Sequence, residues 1–311
     1  MRNVLLKASQ SAWLRDSAPR YRFVRNSAKR FLPGEDVASA LAAAEKLAGQ
    51  GVSSLLTHLG ENVEDRAQAE ESTAEYLALL DRICALGLPS EVSVKLTHLG
   101  LDIDAELCFA NLTKLLAHAA YTQADSRRIL WIDMEQSPYV DPTLEMYRRV
   151  HAVNPRVGVC VQAYLYRTEE DLEPLLACGA AVRLVKGAYS EPAEIAYPKK
   201  RDVDESYFRL AQMLLSGEAE RAGVRVALAT HDTDLIASIT QWAGQQGISK
   251  SRLEFAMLYG IQREMQLCLA REGYRGCVLI SYGSYWFPWF VRRLAERPAN
   301  LLFLARNFFS R

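Results

Sequence analysis

Eight short apolar runs, at 52–58, 92–97, 129–134, 157–163, 181–185, 224–229, 253–258 and 277–281, recur along this chain, and a polar turn and a stretch with helical patterning typically separate one from the next. That alternation indicates βα units around a parallel sheet, because parallel neighbours need a crossover connection that a helix supplies. Eight such units predict a (β/α)8 barrel of the TIM type. At 311 residues the chain exceeds the usual length of a single domain unless the fold is such a barrel, which commonly needs about 250 residues, with extra helices added. Charged-face helical patterns are expected over 36–50, 64–86, 142–153, 169–177 and 204–221. A basic, helical segment precedes them, so the expected division is an N-terminal helical arm over 1–35 and a barrel over 36–311.

Lysines plus arginines equal aspartates plus glutamates at 37 each, so no global field draws the chain to nucleic acid or an anionic membrane, and a small-molecule partner is expected. The 6 cysteines are scattered without a CxxC pair and several lie in apolar runs, which reads as reduced, buried thiols of a cytoplasmic protein. Lys7, Arg15 and Asp16 interrupt the first residues before any apolar run reaches signal-peptide length, so a cleaved export signal is not expected, and no segment approaches the roughly 20 apolar residues that cross a bilayer. His58, His98, His118 and His151 show no metal-ligand spacing, so no metal is expected.

In a parallel barrel the chemistry gathers where strands end and βα loops begin. Polar residues stand at most of these ends. Strand two carries Lys95, strand three ends in Asp133 and Glu135, strand four in Gln162 and Tyr164, strand five offers Arg183 and Lys186, and strand six Thr230 and His231. A lone strand-end residue is as often a cap as a site, and for His231 a capping role stands beside a binding one. Near the C-terminus, Trp289, Arg292, Arg293 and Glu296 fall at helical spacing among Trp286, Phe287 and Phe290, so one face carries an indole, two guanidiniums and a carboxylate. Planar guanidiniums bind carboxylate or phosphate bidentately, and neighbouring rings exclude water, so this face suits a small anionic or amphoteric ligand. The aromatics at 286–289 and 303–309 are compatible with a core, an oligomer interface or a membrane-facing patch.

The motifs SVKLTHLGLDID, IDMEQS, QAYLYR, RLVKGAY, ATHD, EFAMLYG and RRLAERPAN, taken in order, resemble the proline dehydrogenase family in its short monofunctional bacterial form. The resemblance implies a distorted barrel that holds FAD noncovalently, oxidises L-proline to 1-pyrroline-5-carboxylate and passes electrons to a membrane quinone. A peripheral seat on the inner membrane and a separate pyrroline-5-carboxylate dehydrogenase as partner follow from the same resemblance. It implies that Lys95, Arg292 and Arg293 anchor the substrate carboxylate and that Leu258 packs on the ring. Asp133 is expected beside the substrate, paired with Lys95, and Arg183 beside the flavin, where a cation stabilises the reduced ring. Gln162 is expected at the flavin's pyrimidine edge, Met134 in backbone contact with it, Lys186, Gly187 and Ala188 along the ring and ribityl chain, and Thr230 and His231 against the rest of FAD. Glu61 is expected to pair with Arg292 or Arg293 and gate the pocket.

The chain departs from the family pattern at four positions. Leu279 and Trp289 stand where substrate-contacting tyrosines are expected, Ser190 where many members carry tryptophan, and Asp232 where many carry asparagine. Loss of a hydroxyl over the ring leaves open hydroxyproline or another cyclic amino acid as substrate, unless Tyr282 or Tyr285 compensates. Two other readings remain at this point: a flavin-free lyase using Lys186 or Lys95 as a Schiff-base nucleophile, and a barrel that only binds.

Overall fold

The eight apolar runs form eight parallel strands: β1 (Ser53–His58), β2 (Ser90–Val94), β3 (Leu130–Ile132), β4 (Val157–Gln162), β5 (Ala181–Val185), β6 (Arg225–Ala229), β7 (Glu254–Leu258) and β8 (Arg275–Tyr282). Each pairs with the next and β8 pairs back onto β1, so the sheet closes into a barrel with no edge. The structure, a computed structural model, describes residues 21–123 and 127–296, with the side chains of 22, 23, 25, 292 and 294–296 outside the description. The described helices are α1 (Arg22–Ala28), α2 (Val37–Ala48), α3 (Arg66–Ala85), α4 (Ala105–Leu116), α5 (Ala119–Thr122), α6 (Val140–Val153), α7 (Thr168–Ala177), α8 (Lys200–Leu214), α9 (Gly217–Ala222), α10 (Thr233–Gln245), α11 (Arg263–Arg271) and α12 (Trp286–Glu296).

Local chemistry sets several of the boundaries. Asp36, Asp65 and Asp232 each sit in extended backbone and accept a hydrogen bond from the amide three residues on, capping α2, α3 and α10. The helix expected over 204–221 starts earlier and breaks into α8 and α9. Ser216 turns extended and its side chain accepts from Ala219 N, so it caps a new helix where the old one would have continued. Strand two ends at Val94, short of its apolar run, because His98 N and Leu99 N donate to the carbonyls of Lys95 and Leu96 and fold those residues into a turn.

Strand alternation puts one set of residues against the helices and the other into the bore. The bore is layered. At the N-terminal end lie Glu91, Arg225 and Glu254, with Arg225 Nη1 2.6 Å from Glu91 Oε1 and Arg225 Nη2 3.0 Å from Glu254 Oε2. The middle is filled by Trp131, packed with the smaller Ala181, Ala227, Ala256 and Cys277. Gly158 faces this indole, and a Cβ there would stand 2.8 Å from its ring, so only glycine admits Trp131. Towards the C-terminal end lie Ser93, Asp133, Arg183 and Leu279.

The aromatics of α12 form a second, smaller core. Trp286, Phe287, Trp289 and Phe290 are all buried and pack with Phe31 and Leu32 behind α1 and with Leu59 and Leu258 at the strand ends. Burial, not an exposed patch, accounts for this stretch, while residues 303–309 lie outside the described part. Among the described residues no helix is long and apolar enough to cross a membrane.

Candidate active site

The C-terminal mouth of the barrel opens into a cavity of about 770 Å³. Lys95, Asp133, Met134, Gln162, Arg183, Lys186, Gly187, Ala188, Thr230, His231, Leu258 and Arg293 all line it, as do Leu279 and Trp289. Arg292 lies on α12, but its side chain is outside the described residues.

At the deep end Asp133, immediately after β3, meets Arg183 of β5. Arg183 Nη2 donates to Asp133 Oδ1, and Ser93 Oγ lies 2.7 Å from the same oxygen and 3.0 Å from the guanidinium. Arg183 rests its guanidinium 5.3 Å from the Trp131 ring centroid. Burial opposes its charge, yet Asp133 and the Cys160 sulfur beside it outweigh that cost and its pKa is raised. Its Nη1 is buried without a hydrogen-bond partner among the described residues.

This arrangement corrects the expected pairing of Asp133 with Lys95. Lys95 Nζ instead lies 2.6 Å from Glu61 Oε2, in the loop after β1, and the two are almost equally buried. The turn that withdraws Lys95 from β2 sets its ammonium beside that loop, and Asp133 takes its cation from across the bore. Glu61 has Lys95 as an ion-pair partner, and of the two α12 arginines it was expected to reach, Arg292 has its side chain outside the described residues.

On the opposite wall Lys186 bridges Asp204 of α8 and Asp232, with Nζ 2.8 Å from Asp232 Oδ2. Lys200, at the start of α8 and mostly exposed, binds the same two carboxylates. Burial would raise the Asp232 pKa, but the hydrogen bonds from Lys186 and Lys200 hold it well below the usual carboxylate range. Gly187 follows with φ 113°, and a Cβ there would stand 2.3 Å from the Tyr164 ring, so the loop passes flat over the tyrosine only as glycine.

Gln162 donates through Nε2 to Glu135 O at 3.0 Å, while its Oε1 is buried with no hydrogen-bond partner among the described residues. Thr230 Oγ1 accepts from Asp232 N at 3.2 Å. His231 Nε2 accepts from Leu258 N at 2.8 Å, which ties the end of β6 to the end of β7 and requires a ring nitrogen without hydrogen. The structural role and the cavity-facing position of His231 therefore coexist. Arg293 holds its guanidinium 5.7 Å from the Trp289 ring centroid. Tyr282 points away, stacked on His58 at 5.2 Å, and neither it nor Tyr285 lines the cavity, so neither replaces a hydroxyl at Leu279.

Three participants escaped the sequence reading: Ser93, Lys200 and Asp204. Ser93 stands two residues before Lys95, so strand alternation places both on one face and could have drawn attention to it. Lys200 and Asp204 are spaced as an ordinary i, i+4 surface pair, and nothing in that spacing points to a cavity.

The comparisons with known proteins agree on one family. The family model described as proline dehydrogenase matches residues 40–306. The chain is 38% identical over 303 residues to proline dehydrogenase 2 of Bacillus subtilis subsp. natto, covering 97% of this chain and 96% of that protein. It is 37% identical over 287 residues to proline dehydrogenase of Deinococcus radiodurans, covering 91% of this chain and 90% of that protein. Among solved structures, proline utilization A from Bdellovibrio bacteriovorus, inactivated by N-propargylglycine, superposes with a TM-score of 0.79 at 25% identity. That match covers 92% of this chain but only 34% of the larger protein. With closed barrel, charged mouth and near full-length similarity to two bacterial enzymes in agreement, this chain belongs to the proline dehydrogenase family.

Proposed function

We propose that the chain oxidises L-proline to 1-pyrroline-5-carboxylate with noncovalently bound FAD, as the first step of proline catabolism, electrons then passing to a quinone. The observation that carries this reading is a set of unpaired polar groups in the mouth: Arg183 Nη1 and Gln162 Oε1 are buried in residues that line the cavity and have no hydrogen-bond partner among the described residues. Buried polar atoms are nearly always hydrogen-bonded, so such orphans fit a bound polar ring system. When bound, FAD supplies the two-electron acceptor that no side chain can provide.

The protein's contribution is position and charge. Gln162 and the loop at Lys186, Gly187 and Ala188 would hold the isoalloxazine and ribityl parts, Met134 would meet the ring through its backbone, and Thr230 and His231 would line the remainder. Arg183, held in charge by Asp133, is placed to offset negative charge that accumulates on the ring. Lys95 and Arg293, with Arg292, supply cations for the substrate carboxylate, and Leu258 with Trp289 supplies apolar walls for its ring. Asp133 would accept a hydrogen bond from the substrate amine. Fixing carboxylate, amine and ring together orients the carbon that loses hydride, which is the main help a protein can give to such a transfer.

Leu279 favours a second reading on the same chemistry. It lines the cavity without a hydroxyl, and a substituted ring such as hydroxyproline or another cyclic amino acid would meet a differently shaped wall there. The lyase reading loses ground, because Lys186 and Lys95 are both engaged by carboxylates and neither is the unpaired, desolvated amine that Schiff-base chemistry needs. The product would feed a separate pyrroline-5-carboxylate dehydrogenase. The test is the visible spectrum of purified protein during anaerobic titration with L-proline and, separately, trans-4-hydroxy-L-proline. Bleaching of a flavin band by proline is expected. Bleaching by hydroxyproline alone would transfer the assignment to the second reading, and FAD-reconstituted protein without a flavin band would end both.

A further inference from the structure

Ser93 lies on β2 with its side chain in the bore, completely buried. Its Oγ is 3.0 Å from Arg183 Nη2 and 2.7 Å from Asp133 Oδ1. A guanidinium only donates, so the hydroxyl accepts from Arg183 and keeps its single proton for an acceptor. The competing acceptor, the Trp131 carbonyl, is 3.5 Å away. The bonds therefore run from Arg183 through Ser93 to Asp133, and Arg183 also reaches Oδ1 directly. Both donors converge on one carboxylate oxygen. Asp133 Oδ2 has no partner among the described residues, and the side chain lines the cavity with 21% of its surface exposed.

A carboxylate held by one donor can turn about its Cβ–Cγ bond and offer either oxygen. Two donors from different strands on the same oxygen fix its plane, because turning would break both charge-assisted bonds together. We propose that Ser93 is a positioning residue for the reaction: it locks Oδ1 so that Oδ2 stands in the cavity as the acceptor for the amine of the bound cyclic amino acid. Ser93 does not itself line the cavity, so it acts through Asp133. The inference rests on Asp133 being the partner of that amine.

The test compares two ligands that differ only in the amine, using purified holoenzyme. The Kd of L-proline is read from saturation of the anaerobic reduction rate. The Kd of cyclopentanecarboxylate, the same ring and carboxylate without nitrogen, is read from perturbation of the flavin absorbance. Ser93→Ala should weaken proline about tenfold, the order expected for loss of one hydrogen bond to a charged group. It should leave cyclopentanecarboxylate within about twofold, and Ser93→Thr, which keeps the hydroxyl, should restore proline binding. An unchanged proline Kd, equal weakening of both ligands, or a Thr variant no better than Ala would overturn the proposal. If Ser93→Ala does not fold, Ser93→Cys, similar in size but a weak donor, is judged by the same criteria. Asp133→Asn separates the layers: if it weakens proline and Ser93→Ala does not, Ser93 alone is misassigned. If Asp133→Asn leaves proline untouched, the reading of Asp133 falls and the role of Ser93 with it.

Discussion

Two guanidiniums stand against one indole in the bore of this barrel, Arg183 at 5.3 Å and Arg225 at 5.4 Å from the Trp131 ring centroid, and their surroundings differ in kind. Arg225, at the N-terminal foot, is enclosed by Glu91 and Glu254, and Arg275 adds a second cation to Glu254 at 3.0 Å. Glu91 also accepts from Trp131 Nε1 at 2.7 Å and from Ile129 N at 3.0 Å. Every carboxylate there is engaged by more than one donor. Arg183, at the mouth, has one carboxylate and one hydroxyl, and keeps a buried nitrogen unpaired among the described residues. The same pair of residue types serves two ends. A closed network with its valences satisfied holds strands together, whereas one with a donor left unpaired beside a cavity is what the proposed ligand site requires.

The sharpest way to break this comparison is to remove each arginine in turn. Arg225→Met should cost the fold about 3–5 kcal/mol, because Glu91 and Glu254 would remain buried without their shared cation. Urea denaturation measures it, and activity per folded molecule should stay near that of the parent chain. Arg183→Met should do the reverse. Its kcat/KM with proline should fall by about 10²–10³, the loss typical of one preorganised electrostatic group, with a much smaller change in unfolding midpoint since Asp133 can take up water from the cavity. Equal stability losses at both sites would erase the distinction between foot and mouth.

Acid should act on the mouth through His98. Burial, then the neighbouring His58 and Lys95, push its pKa down to about 3 from an ordinary 6.5, so the ring is neutral in the folded chain. The unfolded chain binds the proton first as pH falls below 6.5, and stability is lost progressively between there and the folded value. From pH 7 to pH 5 this amounts to about 2 kcal/mol. Denaturation of His98→Asn at the two pH values should show that part of the slope removed, and an unaltered slope would refute it. The smallest effect should come from the rim. Lys200 is mostly exposed although it binds Asp204 and Asp232, so Lys200→Ala should change stability by less than about 1 kcal/mol in thermal unfolding. A larger loss would mean that the rim, too, is a closed network like the foot.

Much of the mouth was legible in the sequence alone. Lys95, Gln162, Arg183 and Thr230 stood at the ends of apolar runs, and strand ends in a parallel barrel converge. Their partners were not legible. Asp133 and Lys95 stood at neighbouring strand ends, but alternation along a strand says only which face a side chain takes, and distances across a bore depend on register and tilt. The foot illustrates the limit more sharply. Glu91, Arg225 and Glu254 look in the sequence like ordinary charges near strand starts, and Arg225 finds Glu91 across 134 residues of chain. The aromatics of α12 were open to three explanations, and only their packing on Phe31 and Leu32 chose burial.

The sequence by itself determined the barrel, because eight apolar runs of strand length separated by helical stretches leave few other ways to bury their surface. It also determined the residue types gathered at the mouth, since those follow from position along each strand. Tertiary structure alone decided which charges neutralise one another and which keep a free bond. That choice rests on a few ångströms across a closed bore, where a turn after Val94 carries Lys95 to Glu61 and a serine one layer above Glu91 joins Asp133 to Arg183. Local propensities along the chain carry no record of such distances.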